Sequence, residues 1–169
     1  MESNWEAKAQ EEVTELGRDI IGSDRFSKAD AVPHHYGHSI ADHSLRTARY
    51  AVRISDWLAR HGVRLSKEDA VRACLLHDMG MTVDDVFESP SRVKAHTHPV
   101  EGARIAREEF GADDETVDAI EHHMWPICPT APRHVLGWVV TAADKCSSVR
   151  ETQDYIGTVA KTLKGEGDG

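Results

Sequence analysis

The sequence lacks the features of a disulfide-stabilised, secreted or membrane-spanning protein. Its 169 residues include three cysteines, with no Cys-x-x-Cys pair, which are too few and too scattered for a disulfide framework. Its longest apolar runs, such as 135–143, are far shorter than the roughly 20 residues that cross a bilayer. The first residues have neither a basic stretch nor an apolar segment, so no secretory signal is expected. These absences predict a cytoplasmic protein with reduced thiols and no membrane partner.

Basic residues are outnumbered by acidic ones, which gives a formal net charge of −9. A nucleic-acid-binding surface needs an excess of Lys and Arg, so we expect no nucleic-acid polymer as a partner. The charge does not exclude a small phosphorylated substrate, because bound cations would invert the local field. The apolar side of the first predicted helix could cover the core or form a dimer contact, so a homodimer is an open alternative.

Apolar residues recur at helical spacing along most of the chain, and no segment alternates as a half-buried strand does. The pattern predicts helices over about 5–21, 40–60, 66–78, 99–111, 113–124 and from 133 onward. Residues 26–37 and 82–97 are expected to be irregular, and Pro99 suits the first turn of a helix. We therefore expect a single all-α domain of six to seven helices over 1–163. The Gly-rich, charged segment 164–169 is predicted to be a disordered tail.

Histidine is abundant, with eleven in the chain, and several lie beside aspartates in or next to predicted helices. The residues concerned are His43, the pair His77-Asp78, His98, the pair His122-His123, and Asp144. Imidazole nitrogens together with a few carboxylates are the ligands that divalent transition metals use. A lone histidine is more often a surface or core residue, and a lone aspartate can be a cap or an ion-pair partner. The whole set, spread over several helices, predicts a metal site inside a helical bundle.

The order of these residues resembles that of the HD-domain metal-dependent phosphohydrolases. The resemblance runs roughly from Pro33 to Val149 and rests on five local motifs. They are Asp-His-Ser-Leu-Arg-Thr-Ala (42–48), Leu-Leu-His-Asp-Met-Gly (75–80), Thr-His-Pro (97–99), His-Met-Trp-Pro (123–126) and Ala-Asp-Lys (143–145). It implies an all-helical bundle with a metal site at its centre.

The resemblance also implies which residues hold metal. The four core ligands would be His43, His77, Asp78 and Asp144. Members of the family with two metals add two histidines, which match His98 and His123. Asp78 would then bridge two cations about 3.5–4 Å apart, and the water between them would attack phosphorus. Mixed nitrogen and oxygen ligation suits Fe, Mn, Zn, Ni or Co and does not decide among them.

Five further residues are candidates for the reaction. Lys145 could orient the preceding aspartate, contact phosphate or point to solvent. His35 could donate a proton to the leaving group or remain a solvated loop histidine. Arg46 and Lys94 could bind a substrate phosphate, although Arg46 could equally form a surface ion pair. His122 is expected beside the ligands or at the surface and is counted with the candidate substrate contacts.

The family resemblance implies hydrolysis of a small phosphorylated metabolite or nucleotide, as a phosphomonoester or a phosphodiester. Two alternatives stay open. Some similar proteins hold two irons with the same ligands and use O₂ to cleave C–H or C–P bonds, and the ligand set alone does not separate the two chemistries. The other alternative is a non-catalytic nucleotide- or metal-binding domain, against which the intact ligand set argues. No Gly-Tyr-Pro motif follows His123, which argues against the cyclic-di-GMP phosphodiesterase subgroup.

Overall fold

The computed structural model of the chain describes residues 4–34 and 36–163, and these residues are all-α, as predicted. The helices are α1 (Asn4–Leu16), α2 (Arg18–Ile21), α3 (Asp24–Ala31), α4 (Ile40–Arg60), α5 (Lys67–Leu76), α6 (Asp84–Phe87), α7 (Ser91–Phe110), α8 (Asp114–Glu121) and α9 (Val135–Leu163). A 3-10 helix, Met79–Thr82, lies between α5 and α6. Of these nine described α-helices, seven have eight residues or more, which agrees with the predicted six to seven. The predicted tail 164–169 lies outside the described residues.

Helix α4 has the bounds that the sequence predicts, and its start is fixed by a capping box. Ser39 Oγ accepts a hydrogen bond from the backbone N–H of Asp42 (3.0 Å), and the Asp42 carboxylate accepts one from the backbone N–H of Ser39 (3.1 Å). The apolar side of α4 packs against α5 and α9. The core therefore includes the first turn of α4, which carries His43.

Helix α5 enters the core and ends there. Ser66 caps its start by accepting a hydrogen bond from the backbone N–H of Asp69 (3.2 Å). Leu75 and Leu76 are buried, and each such side chain contributes roughly 1.5–3 kcal/mol of hydrophobic stabilisation. The chain leaves the helix at His77, so the His77-Asp78 pair begins at the centre of the molecule.

Helix α7 differs from the prediction. It begins at Ser91 rather than near Pro99, so Pro99 lies in the helix interior. Proline has no N–H and leaves the carbonyl four residues earlier, that of Ala95, without its helical partner. The Cys128 thiol donates to this carbonyl, with Sγ 3.4 Å from the oxygen. The connector after α8 thus compensates for the proline and keeps α7 continuous.

Three other predicted boundaries also change. The segment 26–37, predicted to be irregular, contains most of α3, whose Ser23 cap accepts a hydrogen bond from the Phe26 N–H (3.1 Å). The predicted helix 5–21 breaks at Gly17, where a Cβ would lie 2.1 Å from Leu75 Cδ1. Helix α9 begins at Val135 rather than near 133 and continues without a break to Leu163. None of the described helices combines the length and apolar character that a membrane crossing needs.

Two glycines bring α7 against the segment that follows α5. A Cβ on Gly80 would lie 2.1 Å from the carbonyl oxygen of His98, and one on Gly102 would lie 2.8 Å from the carbonyl oxygen of His77. No side chain fits at either distance, so backbone packs directly on backbone. This close approach places His98 beside His77 and Asp78.

Candidate metal centre

All six residues that the family resemblance proposes as ligands meet at one buried point. His43 lies on α4, His77 and Asp78 follow α5, His98 lies on α7, His123 follows α8, and Asp144 lies on α9. Each has a relative exposure of 6% or less. Polar groups with this degree of burial need a hydrogen-bond or metal partner, because burial without one is costly.

The two carboxylate oxygens of Asp78 face two different pairs of histidines. Asp78 Oδ2 lies 3.4 Å from His77 Nε2 and 3.8 Å from His43 Nε2. Asp78 Oδ1 lies 3.2 Å from His98 Nε2 and 3.5 Å from His123 Nε2. A carboxylate with one oxygen toward each pair has the arrangement of a bridge between two neighbouring cation sites.

Asp144 completes one of these two sites. Its Oδ1 lies 3.1 Å from His43 Nε2 and 4.0 Å from His77 Nε2. We define the first half-site as His43, His77, Asp144 and Asp78 Oδ2, and the second half-site as His98, His123 and Asp78 Oδ1. Ligand atoms about 3.0–3.5 Å apart are what tetrahedral or octahedral coordination with bonds of about 2.1 Å produces.

Hydrogen bonds fix the orientation of three of the four imidazoles. The Nδ1 atoms of His77, His98 and His123 each lie 2.7 Å from a backbone carbonyl oxygen three or four residues earlier. With Nδ1–H as the donor, each Nε2 presents a lone pair to the centre. This is the tautomer that a metal requires.

The surroundings of His77 Nε2 indicate whether these residues fit a metal. This atom is buried and has no hydrogen-bond partner among residues 4–34 and 36–163. Its lone pair faces the Asp78 carboxylate at 3.4 Å. Two acceptors at this distance require a cation or a proton between them, so the donor set fits a divalent cation.

The pKa values of the ligands show the charge that the site holds without metal. Burial opposes ionisation of Asp78 and Asp144, yet the neighbouring histidines keep the pKa of both carboxyls well below the usual range. Burial also opposes protonation of His43, but hydrogen bonds with Asp144 and Glu151 outweigh it and raise its pKa to about 10. For His77 burial dominates and lowers the pKa to about 4. The site therefore offers ionised carboxylates and a neutral imidazole at neutral pH.

The centre opens into a pocket of about 500 Å³. Asp78, Asp144 and the second half-site histidines form part of its lining. The remaining wall includes four apolar side chains, those of Met81, Phe87, Met124 and Ile127, and two lysines, Lys94 and Lys145. Candidate ligands and both lysines therefore line one pocket.

Lys145 and Lys94 are two of the residues named from the sequence as candidates for contact with a substrate phosphate. Lys145 Nζ lies 2.6 Å from Asp144 Oδ2, and the side chain is 40% exposed. Lys94 Nζ lies 4.7 Å from the centre of the Phe87 ring. Lys145 thus orients a candidate ligand, and Lys94 lies on the pocket wall.

Arg46 and His122 lie elsewhere, and His35 lies outside the described residues. Arg46 lines a separate cleft between α1, α4 and α9, and its Nη1 is 3.9 Å from Glu151 and 3.7 Å from Asp154. His122 turns toward Asp118, with Nδ1 3.2 Å from its carboxylate. Neither contacts the pocket in this arrangement.

Two further residues lie at the centre that were not among the predicted site residues, Glu151 and His34. Glu151 is 1% exposed, and its Oε1 accepts a hydrogen bond from His43 Nδ1 at 2.9 Å. Its position seven residues after Asp144, on the same side of a helix, is the signal that could have indicated it. His34 Nε2 lies 3.5 Å from Asp78 Oδ2, and its ring stacks on His43 with centroids 4.6 Å apart.

Similar proteins include several called ribonuclease Y. The one from Petrotoga mobilis is 34% identical over 115 residues, covering 68% of this chain and 19% of that protein. The one from Ureaplasma parvum is 32% identical over 115 residues, covering 68% of this chain and 21% of that protein. Ribonuclease Y 2 from Levilactobacillus brevis is 31% identical over 127 residues, covering 72% and 21%. The chain thus spans about a fifth of the length of these relatives.

These relatives correct one expectation. The net charge of −9 led us to expect no nucleic-acid polymer as a partner, and proteins named as ribonucleases overturn that exclusion. The charge of the whole chain averages over its surface, whereas cations in a metal centre set the local field. An acidic chain with a metal centre therefore does not exclude RNA.

The family comparison covers the candidate centre. The model of the HD domain matches residues 40–148, a span that contains all six converging residues. No solved structure shows a significant match to the chain. The fold, the order of the histidines and aspartates, and this match agree, and the chain belongs to the HD-domain family.

Proposed function

We propose that this chain is a metal-dependent hydrolase of phosphate esters with a binuclear centre, and that its substrate is a phosphodiester of a nucleotide or of RNA. The observation that carries the proposal is the divided Asp78 carboxylate. One oxygen faces His43 and His77, and the other faces His98 and His123. Paired sites that share a carboxylate suit phosphoryl chemistry, in which charge on several oxygens must be neutralised together.

The two half-sites would hold the cations. The first offers two imidazoles and two carboxylate oxygens, and the second offers two imidazoles and one carboxylate oxygen. When bound, divalent transition metals supply Lewis acidity toward phosphoryl oxygens and lower the pKa of water at the site. Iron, manganese, zinc, nickel and cobalt all accept this mixture of ligands.

The protein's own side chains bind and orient the substrate. The Lys145 ammonium contacts Asp144 on one side and lines the pocket on the other, so it can donate a hydrogen bond to a substrate phosphate. Lys94 supplies a second cation on the same wall. The two lysines would attract a phosphate into the pocket and hold its outer oxygens while the ester bond lies at the centre.

The pocket also supports the proposed substrate class. Its volume of about 500 Å³ lies within the range of small-molecule sites and suits a group the size of one nucleotide. Phe87 and Ile127 offer apolar surface for a base or sugar. The relatives named ribonuclease Y support a phosphodiester of RNA, while a small phosphorylated metabolite would fit the same volume.

A substrate panel tests the proposal. The metal-loaded chain is incubated with short RNA, cyclic dinucleotides and nucleoside monophosphates, and the products are separated by chromatography. We expect metal-dependent cleavage of at least one phosphodiester, and loss of that cleavage in Asp78→Asn. Cleavage of monoesters alone would reject the diester proposal, and no cleavage of any ester would reject the hydrolase.

A further inference from the structure

We propose that His34, in the loop between α3 and α4, is an additional protein ligand of the first half-site. This inference rests on the metal centre proposed above. His34 lies outside the residues 40–148 that the HD-domain model matches. It therefore adds a property of this chain to those that the family match covers.

The distances from the histidine nitrogens to Asp78 Oδ2 support His34 as a ligand. His34 Nε2 lies 3.5 Å from Asp78 Oδ2, between the distances of His77 Nε2 (3.4 Å) and His43 Nε2 (3.8 Å) to that same oxygen. Three imidazole nitrogens thus surround one carboxylate oxygen. The donor atoms of His34, His43 and Asp78 all lie within 4.8 Å of one another, close enough for a shared cation.

Contacts with neighbouring residues also hold the His34 imidazole in place. The His34 side chain is 10% exposed, and its ring stacks on His43 with an interplanar angle of 26°. The backbone N–H of His34 donates to the carbonyl of His38 (2.8 Å), and a bridge joins Pro33 to Ser39. The ring is thus directed to the centre by the same turn that starts α4.

An aromatic contact also joins the loop that carries His34 to α9. Tyr36 has a left-handed backbone conformation (φ 55°) and stacks on Tyr155 of α9, with centroids 4.6 Å apart. The strained turn and the aromatic contact hold the loop over the helix that carries Asp144. This contact restrains Tyr36, two residues after His34, against α9.

A further ligand increases the difference between the two half-sites, which have four and three protein donors without His34. The first would have five protein donors, from His34, His43, His77, Asp144 and Asp78, whereas the second would have three. A site with fewer protein donors keeps positions open for water and substrate. A phosphoryl oxygen would therefore enter at the second half-site. Its His98 and His123 line the pocket together with His34, Asp78 and Asp144.

A Co²⁺ titration tests the role of His34. Demetallated wild type, His34→Ala and His38→Ala are titrated with Co²⁺ while the visible absorption of the bound ion is recorded. His38 lies in the same loop, and its backbone carbonyl, which the substitution retains, accepts the hydrogen bond from His34, so it is the matched control. We expect His34→Ala to lower the affinity for one Co²⁺ equivalent at least ~10-fold. Removing a residue that only hydrogen-bonds to a ligand already costs about that much, so removing a ligand should cost no less.

The outcomes separate this inference from the proposed function. Two Co²⁺ bound by wild type with an unchanged affinity and spectrum in His34→Ala would overturn the ligand role and leave the metal centre intact. Equal losses in both loop variants would also overturn it, because they would indicate loop placement rather than ligation. No Co²⁺ bound by wild type would contradict the metal centre itself.

A second measurement on the wild type covers the case in which His34→Ala does not fold. Nitrogen-15 NMR of the imidazoles is recorded before and after addition of Zn²⁺. We expect the His34 Nε2 resonance to shift by an amount similar to that of His43 Nε2. A His34 resonance that stays at its metal-free position while the His43 resonance shifts would overturn the inference.

Discussion

Glu151 accepts a hydrogen bond from the Nδ1 of His43 across 108 residues of sequence, with 2.9 Å between Oε1 and Nδ1. The contact gives His43 a carboxylate behind the ring, where the other three imidazoles have a backbone carbonyl. Both side chains are 1% exposed. Because the carboxylate holds the Nδ1 proton, the neutral ring that metal binding requires would direct its Nε2 lone pair to the first half-site and be a stronger donor.

We therefore expect Glu151→Ala to weaken metal binding at the first half-site about 10- to 100-fold. Asp154→Ala is the control, because it removes a carboxylate from the same helix without contact to His43. Isothermal titration calorimetry gives the dissociation constants. Equal affinities in Glu151→Ala and wild type would show that the hydrogen bond does not support a ligand.

Metal binding is expected to release a proton from His43. Burial opposes the charge of this imidazole, but hydrogen bonds with Asp144 and Glu151 raise its pKa from 6.5 to about 10. The protonated ring therefore stabilises the metal-free fold fully below pH 6.5, and this contribution is lost as the pH rises through about 10. A metal needs the neutral ring and must displace the proton.

The affinity for metal at the first half-site should consequently rise about tenfold per pH unit as the pH approaches 10 from below, for one displaced proton. Calorimetry in two buffers with different ionisation enthalpies measures the proton count directly. His77 contributes no proton, because burial lowers its pKa to about 4. Binding without proton release would contradict the predicted charge state of His43.

The two halves of the centre should respond differently to substitution. Asp78→Asn replaces the carboxylate that faces both pairs of histidines with an uncharged amide, so we expect loss of metal from both half-sites. His98→Ala removes a donor from the second half-site alone, and one metal per chain should remain. Mass spectrometry of purified variants gives the count. Equal loss in both variants would indicate one coupled site instead of two.

Gly80→Ala is expected to destabilise the fold and displace α7. The new Cβ would meet the His98 carbonyl oxygen at 2.1 Å, so backbone must move. Overpacking of this kind costs about 1–3 kcal/mol, and the shift of His98 should also weaken the second half-site. Gly157→Ala is the control, since its Cβ would meet nothing within 4 Å. Urea unfolding measures the stability of both, and similar midpoints would contradict the close-packing argument.

The sequence predicted the bounds of a helix well where its capping residue, apolar periodicity and end all lie in one local segment. Helix α4 has its capping residue, its apolar periodicity and its end within one segment, and its bounds agree with the prediction. Pro99 led to the wrong predicted start for α7, because the contact that compensates for the proline comes from Cys128, 33 residues after Ala95. Helix α3 was missed because residues 26–37 also contain a proline, a glycine and a run of histidines.

The candidate site shows the same limit. Motifs predicted the six residues that converge, since each lies in a recognisable local sequence. Glu151 and His34 have no such motif, and their importance depends on contacts across the fold with His43. Arg46 lies one turn after His43 and was a candidate for either a phosphate contact or a surface ion pair; the helix directs it to a different cleft, beside Glu151 and Asp154. Sequence spacing does not reveal which way a neighbour of a ligand points.

The most direct test of the central claim is hydrolysis of a simple phosphodiester, bis(p-nitrophenyl) phosphate, while metal is returned to the demetallated chain. Mn²⁺, Co²⁺ and Fe²⁺ are added separately, and bound metal is counted in the same samples. We predict no hydrolysis without metal and a rate that rises until two equivalents are bound per chain. Two bound equivalents without hydrolysis, above all two irons with consumption of O₂, would contradict a phosphohydrolase, and hydrolysis without metal would contradict the centre.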